Sequence, residues 1–306
     1  MLARRVDGPG DGAPESRRAE RIVLVHGFTQ TSASWHQSAE LLARGFEVVR
    51  MDLPGHGASE RVQLGFAQAA AAVGAAGGRG VYVGYSMGGR LALRLAIDRP
   101  ALVQALVLIG ASPGLADQRD RAARRDSDEQ LAADIERLGT RSFLDRWLAQ
   151  QIFSGLIPTE TDLAARRANS PAGLASALRL LGTGQQDPLW DRLGELRMPV
   201  LAVVGGLDSK SILIAERMAG SIGEHAQVAV MPGTSHAPHL QQPKPFCQLL
   251  WRFLHPRPSA DRSRASSASS TGSGTTWRDF RRPSEGTNGS ATTSVARRLA
   301  LPRPQA

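Results

Sequence analysis

The sequence holds a single cysteine, Cys247, which excludes an internal disulfide and any cysteine-built metal cluster. No run approaches the roughly eighteen apolar residues of a membrane span. The first twenty residues alternate charge with Gly and Pro instead of building the apolar centre of a signal peptide, so the chain reads as cytosolic. Aromatics are few, at 5% of residues, yet the apolar content is that of an ordinary soluble protein, and 306 residues are ample for a sizeable core. Acidic residues are scarce beside basic ones, 28 against 37, an excess that would suggest nucleic acid if it covered a folded face. It does not: nine arginines stand against Asp261, Asp279 and Glu285 between residues 257 and 306. That stretch is rich in Ser, Thr, Gly and Pro and too poor in apolar residues to offset the entropy of ordering, so a disordered basic tail is expected there. Any contact it made with nucleic acid would be nonspecific, and a solvated extension is the preferred reading.

What the sequence does hold centres on Gly84-Tyr85-Ser86-Met87-Gly88. The apolar run Val81-Tyr82-Val83 precedes it and a helical pattern from Gly89 to Ala96 follows, the context of a strand–serine–helix elbow. Around it, short apolar runs alternate with helical segments. Strands are expected at Arg21 to Val25, Glu47 to Met51, Leu102 to Ile109, Pro199 to Val204 and Ala226 to Met231. Helices are expected at about Ser34 to Ala43, Leu64 to Val73 and Phe246 to Phe253. Continuous apolar strands alternating with helices indicate an α/β fold with a mostly parallel sheet covered on both faces. Residues 1–20 read as a flexible lead-in, and residues 21–112 and 196–256 as the α/β core. Residues 113–195, helical and without strand pattern, read as an inserted lid. In that lid Ser170-Pro171 and Asp187-Pro188 each resemble a cap followed by proline in the first helical turn.

A serine hydroxyl is a weak nucleophile or base unless a histidine takes its proton and a carboxylate fixes that histidine's tautomer. The partners of Ser86 are expected in loops after late strands, in the order acid then histidine. Asp208, closing Gly205-Gly206-Leu207, and His236, closing Pro232-Gly233-Thr234-Ser235, meet that requirement. His239 is the competitor, expected to be a pocket-wall or solvent-facing imidazole. Backbone N–H groups of Phe28 and Met87 are candidates for an oxyanion hole, while His26, His56 and Asp52 are expected to brace their turns. Arg90, one turn beyond Ser86 on the same helix, opposes the helix dipole. It either meets an anionic substrate or pairs with a local carboxylate.

Taken together, His26-Gly27-Phe28, Asp52-Leu53-Pro54-Gly55-His56-Gly57, the elbow and the two late loops resemble the α/β-hydrolase superfamily over about residues 21–256. More specifically, four stretches are similar to the 2-succinyl-6-hydroxy-2,4-cyclohexadiene-1-carboxylate synthases of menaquinone biosynthesis. They are Gly84 to Arg90, Ser112-Pro113-Gly114-Leu115 with Arg121 and Arg124 following, Asp208-Ser209-Lys210, and His236-Ala237-Pro238-His239. The resemblance implies a lyase that eliminates pyruvate from an enolpyruvyl cyclohexene bearing three carboxylates, with no metal or organic cofactor. It implies Ser86, Asp208 and His236 as the triad, Arg90, Arg124 and Arg167 as carboxylate receptors, and Tyr85 and Trp147 as pocket walls. The chain departs from that pattern at Leu148 and Ser211, where aromatics are common, and in its Arg-rich tail. A carboxylesterase acting through an acyl-serine is the alternative.

Overall fold

A computed structural model describes residues 1–8 and 20–256. The expected flexibility of residues 9–19 and disorder of the tail 257–306 fall outside the described residues. Among the described residues, seven strands form one sheet in the order β1-β3-β2-β4-β5-β6-β7. They are β1 (Arg4–Asp7), β2 (Arg21–Val25), β3 (Glu47–Met51), β4 (Gly80–Tyr85), β5 (Val103–Ile109), β6 (Val200–Gly205) and β7 (Ala226–Met231). All pairs are parallel except β1 against β3. The covering helices are α1 (His36–Leu42), α2 (Phe66–Gly77), α3 (Met87–Asp98), α4 (Gln118–Leu148), α5 (Glu160–Arg167), α6 (Pro171–Leu181), α7 (Ser209–Ile222), α8 (Pro238–Gln241) and α9 (Pro243–Leu254). No helix among the described residues is long and apolar enough to cross a membrane.

The continuous apolar strands are explained by the two cores they serve. Successive residues of a strand point to opposite faces, so Val23, Val25, Tyr82, Leu106 and Ala202 join one core with α2, α3 and α7. Ile22, Leu24, Val81, Val83, Val107 and Val203 join the other with α1 and α9. The chain leaves β2 for β3 on one side and returns to β4 on the other, so the loops after β2 and β4 diverge. That divergence opens a crevice at the carboxyl ends of the strands, the usual ligand site of such sheets.

The structure corrects three expectations. Part of the lead-in is ordered: Arg4–Asp7 pairs antiparallel with β3, and Arg50 donates to both oxygens of Asp7 at 2.6 and 2.8 Å. An edge strand reading Arg-Arg-Val-Asp is held by backbone bonds and one ion pair, and so carries no apolar alternation. Asp187-Pro188 starts no helix, since Asp187 is exposed and the next helical turn begins at Trp190. Ser170, in contrast, caps α6, accepting from the Gly173 N–H at 3.1 Å. The third correction is α7, a helix the sequence reading had left out, capped by the side chain of Asp208.

Candidate active site

Ser86 sits between the last residue of β4 and the first of α3, at φ 48 and ψ −108. With Thr29 (φ 68) it is one of two non-glycine residues at positive φ among the described residues. Such a conformation costs on the order of 1–3 kcal/mol and persists only where the surroundings over-determine it. Here they do. The Ser86 N–H donates to the Ile109 carbonyl at 2.8 Å, and strand and helix pass so closely that side chains are excluded. A Cβ at Gly84 would stand 2.5 Å from Gly89 Cα, and one at Gly88 2.4 Å from the carbonyl oxygens of Val25 and His26.

Three loops meet at this elbow. His236 Nε2 lies 3.5 Å from Ser86 Oγ, and its Nδ1 lies 2.7 Å from Asp208 Oδ2. Asp208 also accepts from Ser211, through the amide at 3.0 Å on Oδ1 and the hydroxyl at 2.6 Å on Oδ2. Burial pushes the Asp208 carboxyl up, but the bonds from His236 and Ser211 outweigh it and hold the group at about 2. It is a carboxylate at neutral pH, fixed in orientation, and its negative charge favours the Nδ1–H tautomer of His236. The His236 loop is itself tied to the lid, its N–H donating to the Ile152 carbonyl at 3.1 Å.

The loop after β2 carries Phe28. Neither its N–H nor that of Met87, at the orphan N-terminal turn of α3, has an acceptor among the described residues. Two buried histidines brace this loop as neutral rings, with burial lowering His26 to about 4 and His56 to about 3. His26 Nε2 accepts from Leu53 N–H at 3.0 Å, and His56 Nε2 from Thr29 N–H at 3.2 Å. Asp52 accepts from the backbone of Ser32 and Ala58. The lid completes the clamp on Thr29: Arg166 donates to its hydroxyl at 2.7 Å and Asn169 to its carbonyl at 2.9 Å.

The other expected site residues fall in different places. Tyr85 is buried, 5.5 Å from the His236 ring and 4.5 Å from the His239 ring, and burial raises its hydroxyl well above the usual range. Trp147 stacks on Phe143 at 5.7 Å and meets Phe28 edge-on at 5.3 Å; Phe153 continues that aromatic wall to His236. His239 is buried against Trp35 and Tyr85, not solvent-facing, and neither ring nitrogen has a partner among the described residues. Burial holds it far below the usual histidine range.

Among the arginines, Arg90 is 7% exposed. It donates to the Leu181 carbonyl at 2.8 Å and to Gln186 Oε1 at 3.2 Å, and among the described residues meets no carboxylate at ion-pair distance. Burial and then neighbouring Arg124 lower it to about 9. Arg124 is half-exposed and paired with Asp128 at 2.8 Å. Arg167 is not brought to the site. It is exposed on α5, and the inward-facing residue is Arg166, paired with Asp162 at 2.7 Å. Consecutive helical residues point about 100° apart, and the one that follows Asp162 by four shares its buried face.

The sequence reading missed Ser211, Thr29, Arg166, Asn169 and Gln186. Ser211 alone had a local signal, because Asp-x-x-Ser is a helix-start pattern. The others act across long sequence separations.

Sheet order, elbow and convergent loops define an α/β-hydrolase-fold enzyme, with a lid inserted between β5 and β6. The chain belongs to the alpha/beta hydrolase family, which residues 22–249 match. A 2-succinyl-6-hydroxy-2,4-cyclohexadiene-1-carboxylate synthase of Enterobacter sp. (strain 638) is 32% identical over 246 residues, 77% of this chain and 92% of that protein. A pimeloyl-[acyl-carrier protein] methyl ester esterase of Xanthomonas campestris pv. campestris (strain B100) is 31% identical over 243 residues, 76% of this chain and 94% of that protein. Among solved structures, MenH from S. aureus superposes with a TM-score of 0.73 at 28% identity, covering 83% of this chain and 98% of that one.

Proposed function

We propose that the protein is a lyase of menaquinone biosynthesis, eliminating pyruvate from 2-succinyl-5-enolpyruvyl-6-hydroxy-3-cyclohexene-1-carboxylate to give 2-succinyl-6-hydroxy-2,4-cyclohexadiene-1-carboxylate. Ser86, Asp208 and His236 form the triad. Ser86 gives its proton to His236 Nε2 and takes one from the carbon next to the succinyl carbonyl, while Asp208 stabilises the imidazolium. The Phe28 and Met87 N–H groups hold the enolate oxygen. The enolate then collapses, breaking the carbon–oxygen bond to the enolpyruvyl group, and the departing enolpyruvate takes the proton held by the His236 imidazolium and is released as pyruvate, leaving Ser86 and His236 neutral. Tyr85 and Trp147 wall the pocket, and Arg90 and Arg124 receive carboxylates.

One observation carries this reading over a general esterase. Arg90 is a buried cation on the elbow helix whose partners are an amide and a carbonyl. Burying an unpaired charge is costly, and a substrate carboxylate would offset that cost. The esterase alternative is favoured by relatives of that name at similar identity.

Pyruvate release decides between them. The purified protein is expected to release pyruvate from the enolpyruvyl substrate. Ser86→Ala should lower kcat on the order of 10²–10⁴-fold, and Arg90→Ala should raise KM about 10–100-fold through loss of charge-assisted bonds. Rapid turnover of short p-nitrophenyl esters with no pyruvate release would identify an esterase instead.

A further inference from the structure

Gln186 lies in the lid turn after α6 and is 1% exposed. Its amide is oriented by its neighbours. Oε1 accepts from Arg90 Nη1 at 3.2 Å, Nε2 donates to the Ser112 carbonyl at 3.4 Å, and the side chain rests on Gly114. The guanidinium can only donate and the Ser112 carbonyl can only accept, so one orientation of the amide satisfies both. Leu181 supplies a second carbonyl to Arg90, and the Phe66 ring lies under the guanidinium at 5.4 Å. Every group that fixes Arg90 is thus neutral. Nearby, Asp128 gives Oδ1 to Arg124 at 2.8 Å, while its buried Oδ2 has no partner among the described residues and its charge favours the Arg90 cation from beyond ion-pair distance.

A buried arginine is ordinarily fixed by a carboxylate, which would neutralise it. We infer that Gln186 sets the pocket's preference for anions: its amide holds the Arg90 guanidinium in place without cancelling its charge, which is left for a carboxylate of the bound substrate. This rests on Arg90 as a carboxylate receptor, the reading given above. Gln186 is a positioning residue, since it acts through Arg90. A glutamate in its place would occupy the guanidinium from within the protein and compete with the ligand.

The test is calorimetric titration with tricarballylate, a simple tricarboxylate that undergoes no elimination. Gln186→Glu is expected to weaken its binding at least tenfold, with the loss for the enolpyruvyl substrate falling more in KM than in kcat. Gln186→Met frees the cation but leaves it charged, and should weaken binding only two- to fivefold. In an Arg90→Gln background Gln186→Glu should add less than a further twofold, because its effect passes through Arg90. Equal losses in the Glu and Met variants would overturn the inference, as would a Glu penalty that persists without Arg90 or a Glu variant that does not fold. A wild-type protein blind to tricarballylate would overturn it together with the receptor reading. A Glu-specific loss in a protein that releases no pyruvate would uphold it and retire only the lyase.

Discussion

At the scale of single residues, the organising pair is Asp208 and Ser211. Asp208 closes the loop after β6 and caps α7, and Ser211 binds both carboxylate oxygens, its amide on Oδ1 and its hydroxyl on the Oδ2 that also faces His236. Ser211→Ala is expected to cost about 1 kcal/mol in denaturant melts at pH 7, the worth of an ordinary hydrogen bond, and to lower kcat less than tenfold because the capping amide remains. Asp208→Asn keeps the cap but favours the wrong tautomer of His236, and should lower kcat on the order of 10³–10⁴-fold. Steady-state kinetics beside the melts separate the two effects.

At the scale of elements, the lid shows which local signals are decisive. Ser170 and Asp187 each precede a proline, yet only Ser170 meets a waiting N–H. Ser170→Ala should therefore cost about 1 kcal/mol of stability and Asp187→Ala almost none, as thermal melts of the two variants will show. The same contrast explains what was legible in the sequence. Strands β2 to β6 and the elbow are legible because strands buried on both faces are mostly apolar and a sharp turn needs glycine, and β7, a partly covered edge strand, because five of its six residues are still apolar. Asp208 and His236 were legible because their loops follow such strands. Strand β1 was not, since an edge strand needs no apolar face. The inward turn of Arg166 in place of Arg167 was not either, because the face of α5 that carries Asp162 and Arg166 is chosen by Thr29 and Ser34, distant in sequence.

At the scale of the whole molecule, three buried histidines, His26 and His56 beneath the loop after β2 and His239 beside Tyr85, make the fold sensitive to acid. Unfolded, each takes a proton near 6.5; folded, burial holds His26 to about 4 and His56 to about 3. As pH falls below about 6.5 the unfolded chain binds protons that the folded one refuses. Stability is therefore complete above that value and declines from there toward pH 3. Asp208, lowered from 3.8 to about 2, adds a loss of the same sign only below its ordinary value. Unfolding free energy should fall by up to roughly 4 kcal/mol per pH unit between pH 5.5 and 4.5, three protons' worth once His239, held below its usual range in the same way, is included, and His56→Gln should remove about a third of that slope.

The helical insertion, finally, is laced to two loops and a helix of the core: Ile152 to the His236 backbone, Arg166 and Asn169 to Thr29, Leu181 and Gln186 to Arg90 of α3. An insertion tied in this way has no melting transition of its own. Scanning calorimetry is therefore expected to show insertion and core unfolding in one cooperative endotherm, with calorimetric and van't Hoff enthalpies equal.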